Sequence, residues 1–186
     1  MLIVGVSGHL RCGKDVIASF LTKHYGFERH AFADTLKDEV EARFPRTLAA
    51  YLRRAFPDGS VDARRLVRVV KDEFARSLLQ EYGTGVRRQD DPDYWVTTWA
   101  KKLMVIAPSR VVAPDVRFPN EAERIRHFGG YVVKVERPGQ NPGAVITHAS
   151  EDFARTFTDW DHVFVNDGTI ADIERKVGEW METILA

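Results

Sequence analysis

Short unbroken apolar runs alternate along the chain with stretches in which apolar residues recur every three or four positions. Leu2 to Val6 is such a run, bounded by Gly8, and predicts a strand buried on both faces. Lys14 to His24 carries Val16, Ile17, Phe20 and Leu21 on one face, with Gly26 as a stop, and predicts a helix. Glu28 to Phe32 predicts a second short strand. From Asp34 to Gly83 the period is mostly helical, broken near Pro45 and at Pro57-Asp-Gly59. Leu66, Val69, Val70, Phe74, Leu78 and Leu79 form the apolar stripe of the last helix in that block. Another helix is predicted from about Asp93 to Ala107, stopped by Pro108.

The second half alternates more cleanly. Arg110 to Asp115 is strand-like, and Asn120 is placed to cap a helix from Glu121 to about Phe128. Gly129-Gly130 ends that helix, and Tyr131 to Glu136 follows as a strand. A loop from Pro138 to about His148 leads to a short helix near Glu151. His162 to Val165 is the last strand, followed by an Asp167-Gly168 turn and a closing helix. Five short strands interleaved with helices predict an α/β fold with a parallel sheet flanked by helices. The block at about 34–107 reads as a helical insertion beside that sheet, within one domain spanning 1–186.

Composition narrows the classes. The chain has 186 residues, 44% hydrophobic and 29% charged, which excludes a disordered or collagen-like chain. Its apolar runs fall far short of the ~20 residues of a membrane span. No basic segment precedes the first apolar run, so no secretory leader is expected. One cysteine, Cys12, leaves no internal disulfide framework and no cysteine-rich zinc site. Six histidines lack a ligand spacing, which argues against zinc. A soluble, cytoplasmic protein is the expectation.

The 27 basic and 27 acidic side chains cancel, so no whole-chain field points to a nucleic-acid polymer or an anionic membrane. Their distribution is uneven. Residues 43–88 hold 11 basic and five acidic side chains, net +6, whereas 149–186 hold three and nine, net −6. Solvated helix faces account for such asymmetry, and so does a basic module that holds a small anion.

The sharpest chemical signal is Gly8-His-Leu-Arg11-Cys12-Gly13-Lys14, the Gly-x4-Gly-Lys core of a phosphate-binding loop. It follows the first strand and opens the first helix. Glycines let successive N–H groups face a phosphate, the helix adds its positive end, and Lys14 adds a cation. The usual hydroxyl after the lysine is replaced by Asp15, and Val16 offers none either. Asp15 reads as a magnesium ligand or as a first-turn complement to the helix dipole. Cys12, near a helix start, is in a place that lowers a thiol pKa; a tolerated small residue is the plainer reading.

Two further clusters carry candidate chemistry. Asp115, Arg117 and Glu121 bring both charge signs to a strand's carboxyl end, where ligands gather in parallel sheets; a local ion pair is the bland alternative. Gly83-Thr84-Gly85 followed by Arg87 and Arg88 suits phosphate, because a guanidinium pairs bidentately with its oxygens. Trp95 stacks on a base in one reading and fills a core in the other, with Trp99 one turn on. His148 stays open between loop structure and a lid contact.

Several phrases together resemble the deoxynucleoside monophosphate kinases typical of bacteriophages. They are the Gly-Lys-Asp loop, Phe32-Ala-Asp-Thr-Leu-Lys37, Tyr82-Gly-Thr-Gly-Val-Arg-Arg88 through Tyr94-Trp-Val96, Asp115-Val-Arg-Phe-Pro-Asn-Glu-Ala122, and Asp161-His-Val-Phe-Val-Asn-Asp-Gly168. The resemblance implies the P-loop monophosphate-kinase fold and transfer of the ATP γ-phosphoryl group to a deoxynucleoside monophosphate. ATP and Mg2+ would lie on Arg11, Cys12, Gly13, Lys14, Asp15 and Val16, with Asn166 and Gly168 on the adenine side. The acceptor would lie on Gly83, Thr84, Arg87, Arg88, Trp95, Asp115, Arg117 and Glu121, in a helical acceptor-binding region. Lys14, Arg117 and Arg88 would act on the transferring group, and 138–148 would be a lid or an ordinary exposed loop. The family commonly has threonine where Val16 stands. A homodimer is left open, as is the host cytoplasm if the chain is viral. Phosphomevalonate kinases of the animal type share the Gly-Lys-Asp loop and a phrase like Arg88-Gln-Asp-Asp-Pro92. A regulatory P-loop protein would carry guanine or switch phrases, and none is found.

Overall fold

The computed structural model describes residues 1–56, 58, 67, 73–139 and 149–186. These divide into two compact units, Met1–Ala31 with Leu103–Ala186, and Phe32–Lys102.

The first unit is built on the apolar runs. β1 (Leu2–Ser7), β2 (Glu28–Arg29), β3 (Arg110–Ala113), β4 (Tyr131–Glu136) and β5 (His162–Val165) form one sheet in the order β2-β3-β1-β4-β5. Every pairing is parallel. β1 lies at the centre, with Val4 opposite Val112 on one side and Val6 opposite Val133 on the other. Its near-continuous burial explains why it reads as an apolar run rather than an alternation. α1 (Lys14–Tyr25) and α8 (Ile170–Leu185) bury Ile17, Leu21, Ile173, Val177 and Met181 with Val4, Val6, Val133 and Val135 in one core. Gly26, in the left-handed region at φ 67°, ends α1, and its N–H donates to the Leu21 carbonyl. Thr169 caps α8, with Asp172 completing a reciprocal capping box.

In the second unit, α2 (Phe32–Arg43), α3 (Pro45–Ala55) and α4 (Glu73–Gln80) surround Val40, Leu48, Leu52, Val67, Tyr82 and Trp95. Pro45 sits in the first turn of α3, where a missing N–H costs nothing. Phe74, Leu78 and Leu79 line this core, and Tyr51 stacks on Phe74 with centroids 4.1 Å apart. α5 runs Tyr94–Ile106. α6 (Pro119–His127) and α7 (Ala149–Thr156) belong to the first unit.

Three expectations are corrected. The strand foreseen at 28–32 stops at Arg29, because Phe32 is buried as the first residue of α2, its ring 4.3 Å from that of Trp99. Asn120 does not cap α6. The helix begins two residues earlier at Pro119, and the Glu121 carboxylate does the capping by accepting the N–H groups of Arg117 and Phe118. The glycine turn foreseen at 83–85 is instead a π-helical continuation of α4 over Glu81–Arg87. Leu66, Val69, Val70, Gly59 and most of the lid foreseen at 138–148, His148 included, lie outside the described residues. Among the described residues no helix is long and apolar enough to cross a membrane.

Candidate active site

The loop between β1 and α1 has the backbone its glycines foreshadow. Gly8 has φ 143° and Gly13 φ 116°, conformations that L side chains rarely adopt, and Arg11 joins them at φ 62°. A side chain at Gly8 would meet the Val135 carbonyl oxygen at 2.4 Å, so the loop can lie this close to β4 only with glycine there. Lys14 bends back over the loop, its Nζ donating to the carbonyls of Gly8 (2.7 Å) and His9 (2.6 Å). Its ammonium therefore already sits over the loop at the N-terminus of α1, where the helix dipole favours anions. Asp15 is exposed in the first turn, and Val16 is half-buried against the core.

Cys12 is 1% exposed, its side chain in the core. Burial pushes its thiol pKa up, and the nearby Lys14 charge offsets this only in part. The loop position foreshadowed a lowered value. Desolvation outweighs the helix end, and the thiol is held protonated.

The segment after β3 is tied directly to the end of β1. Val116 donates its N–H to the Val6 carbonyl at 3.2 Å, and the buried Ser7 hydroxyl donates back to the Val116 carbonyl at 2.7 Å. Asp115, half-buried, and Arg117, exposed, flank this anchor at the carboxyl end of the sheet. Glu121 is 3% exposed, and its Oε2 takes the N–H groups of Arg117 (2.7 Å) and Phe118 (3.2 Å). Glu121, foreseen among the residues that hold substrate, thus has a backbone-capping contact in this structure. Its carboxylate shapes the turn that carries Arg117.

The Asn166–Thr169 turn reaches the loop from the far end of the chain. Asn166 donates its side-chain N–H to the Cys12 carbonyl at 2.8 Å and its backbone N–H to the Glu136 carbonyl at 2.7 Å. A side chain at Gly13 would meet the Asn166 amide nitrogen at 2.6 Å. Gly168 is exposed beyond it, beside the α8 cap. Arg11, Cys12, Gly13, Lys14, Asp15, Val16 and Asn166 are thus one neighbourhood, rooted on the strand ends that also carry Asp115 and Arg117.

In the second unit, Gly83 packs so closely on Leu36 that an added Cβ would lie 2.8 Å from its Cδ2. Thr84 is half-buried in the same π-helical segment. Trp95 is 3% exposed, donates its indole N–H to the Gly83 carbonyl at 3.0 Å, and packs edge-on to Tyr94 with centroids 4.8 Å apart. Of the two readings offered for Trp95, its contacts here are those of the core filler, and its indole N–H holds the Gly83 segment. Arg87 binds Glu39 and lies over the Tyr82 and Tyr94 rings. Arg88 donates to the Pro92 carbonyl at 3.2 Å.

Sequence reasoning missed Glu39, Tyr82, Tyr94 and Ser7. The tyrosines fell inside quoted phrases but bore no chemical signal of their own. Glu39 lies mid-helix with nothing nearby in sequence to pair it with Arg87. Among the described residues no three metal-binding side chains converge.

A family model described as deoxynucleotide monophosphate kinase matches residues 58–177. A protein of Acanthamoeba polyphaga mimivirus, described as a putative deoxynucleotide monophosphate kinase, is 30% identical over 185 residues, covering 95% of this chain and 94% of its own. Among solved structures, a dephospho-CoA kinase from Campylobacter jejuni aligns over 98% of this chain and 96% of its own, at 14% identity and a TM-score of 0.48.

Proposed function

This chain belongs to the deoxynucleotide monophosphate kinase family, and we propose the following division of labour among its residues. The reaction is ATP-dependent phosphoryl transfer to a deoxynucleoside monophosphate, giving the diphosphate. Such transfer depends on positioning and charge neutralisation more than on covalent help. The loop Gly8–Lys14 binds the donor phosphates, with Lys14 exchanging its two carbonyl partners for phosphate oxygens as they arrive. Asn166 keeps the loop in shape through the Cys12 carbonyl. Arg117, aimed by the turn that Glu121 caps, binds the acceptor phosphate and offsets charge that develops during transfer. Arg87 and Arg88 are the acceptor-binding arginines of the second unit, on the segment that Gly83 and Thr84 shape.

Magnesium suits the donor set. Asp15 offers an exposed hard carboxylate in the first turn after the loop, and Mg2+ usually takes one or two carboxylates with phosphates and waters completing its shell. When bound, the ion neutralises charge on the donor phosphates. Asp115 is the second carboxylate at the same end of the sheet.

The observation that supports this reading most is the loop itself: a left-handed glycine pair, a helix N-terminus and a lysine folded over the site where an anion belongs. The test is a panel of the four deoxynucleoside monophosphates, their ribonucleotide counterparts and phosphomevalonate, each with ATP and Mg2+. Diphosphate formation from at least one deoxynucleotide is expected. ATP consumption with phosphomevalonate alone would overturn the reading. Asp15→Asn should raise the magnesium concentration needed for half-maximal rate.

A further inference from the structure

Four donors converge on one carboxylate in the second unit. Glu39 Oε1 accepts from the Tyr82 hydroxyl (2.5 Å), from Arg87 Nε (2.8 Å) and from an Arg87 terminal nitrogen, while Oε2 accepts from the Tyr94 hydroxyl (2.8 Å). The Arg87 guanidinium lies 4.7 Å from the Tyr94 ring centroid and 5.5 Å from that of Tyr82. Glu39 leaves from the middle of α2, and Arg87 closes the π-helical segment. Burial alone would raise the Glu39 pKa, but the hydrogen bonds from Tyr82, Arg87 and Tyr94 outweigh it, so the carboxylate is held ionised.

The arrangement leaves Arg87 half used. Its Nε and Nη2 edge is committed to Glu39, while Nη1 has no hydrogen-bond partner among the described residues. A guanidinium has five N–H donors, and the Nη1–Nη2 edge is a second fork of the spacing that suits two phosphate oxygens. Aromatic faces restrict the plane, and the carboxylate fixes its rotation. A long, rotamer-rich side chain is thereby ordered before any ligand arrives, which removes an entropy cost from binding.

We infer that Glu39 is a positioning residue for the acceptor nucleotide: with Tyr82 and Tyr94 it holds Arg87 so that the outer fork of the guanidinium meets the acceptor's phosphate. The inference rests on the acceptor role proposed above for Arg87. It accounts for a four-donor network around a single carboxylate at the end of a π-helical turn, a feature often found at functional sites.

Steady-state kinetics of Glu39→Gln test it, with acceptor and ATP varied separately and each variant's melting temperature measured. Losing one charge-assisted contact should raise the acceptor KM roughly 10-fold or more. The KM for ATP should stay within about twofold, because the donor loop is untouched. Tyr94→Phe keeps the Arg87–Glu39 pair and should shift the acceptor KM by less than about threefold. Should Glu39→Gln fail to fold, Glu39→Asp, which keeps the charge on a shorter arm, carries the same expectation for acceptor KM. A folded Glu39 variant with a lowered melting temperature and a wild-type acceptor KM would overturn the inference, leaving a structural pair. Equal rises in both KM values would overturn it too. Wild-type transfer to deoxynucleotides is measured in the same series, so failure of the kinase reading is visible separately.

Discussion

The side-chain amide of Asn166 donates to the carbonyl of Cys12 at 2.8 Å, joining residues 154 positions apart. The contact fastens the turn after β5 to the loop after β1, and Gly13 is the residue whose missing side chain lets Asn166 come so close. Shape in the phosphate loop is therefore partly supplied from the end of the chain. Asn166→Ala should cost about 1 kcal/mol of stability, the usual net worth of one such bond. It should also raise the KM for ATP while leaving the acceptor KM near wild type. Thermal melting and two-substrate kinetics check both.

Lys14→Ala should cripple transfer and leave the fold intact, since Lys14 is only partly buried and its Nζ reaches the Gly8 and His9 carbonyls and the Cys12 sulfur within the loop. One preorganised charge of this kind contributes ~2.7–4 kcal/mol in the transition state, a loss of roughly 100- to 1000-fold in kcat. Turnover near wild type would end the kinase reading of the loop.

Arg117→Lys should lose most activity, although charge is conserved. An ammonium is a point charge and cannot reproduce a planar fork on phosphate. The turn itself should persist, because Glu121 grips the backbone N–H of residue 117, which the substitution keeps. Unchanged kinetics with an unchanged melting temperature would remove Arg117 from the reaction.

Cys12 should be inert in the folded protein. Its thiol is buried and its pKa is raised, so the thiolate that reacts with disulfide reagents is scarce at neutral pH. Labelling should be slow in the native state and rapid in denaturant. Fast native labelling would show that the loop opens.

Acid should unfasten the Glu39 network. The folded-state pKa of this carboxylate lies below its ordinary value, so the associated stability is complete above the ordinary carboxylate range, near pH 4.3, and is lost as pH falls through the folded value. Wild type should melt above Glu39→Gln at pH 7, and the gap should narrow as the pH is lowered from about 5 towards 3. A gap independent of pH would mean that the two side chains differ in packing alone.

Most of the sheet could be read from the chain. β1 and β3 are apolar runs because both faces of a parallel sheet are covered there, β4 and the edge strand β5 are short runs only partly covered, and the glycine signature located the phosphate loop without help from tertiary contacts. Readings failed where the deciding partner was distant in sequence. Phe32 looked like the end of a strand until its packing on Trp99 made it the start of a helix. Gly83 and Gly85 looked like a turn, yet close approach to Leu36 draws the chain into a wider helix. Trp95 and Glu121 carried ligand chemistry in the sequence, and their burial and contacts, a core for one and a cap for the other, had no sequence signal of equal strength. Glu39 had no local signal, because its three partners lie 43 to 55 residues away.

β2 and β3 are neighbours in the sheet, yet residues 30–109 run between them, where a parallel crossover needs only about a dozen residues. The second unit is the body of that detour. No residue of the second unit takes part in a strand register of the sheet. The stretch is therefore an exchangeable cassette in the engineering sense: acceptor preference can be retuned within it without altering a residue that pairs in the sheet.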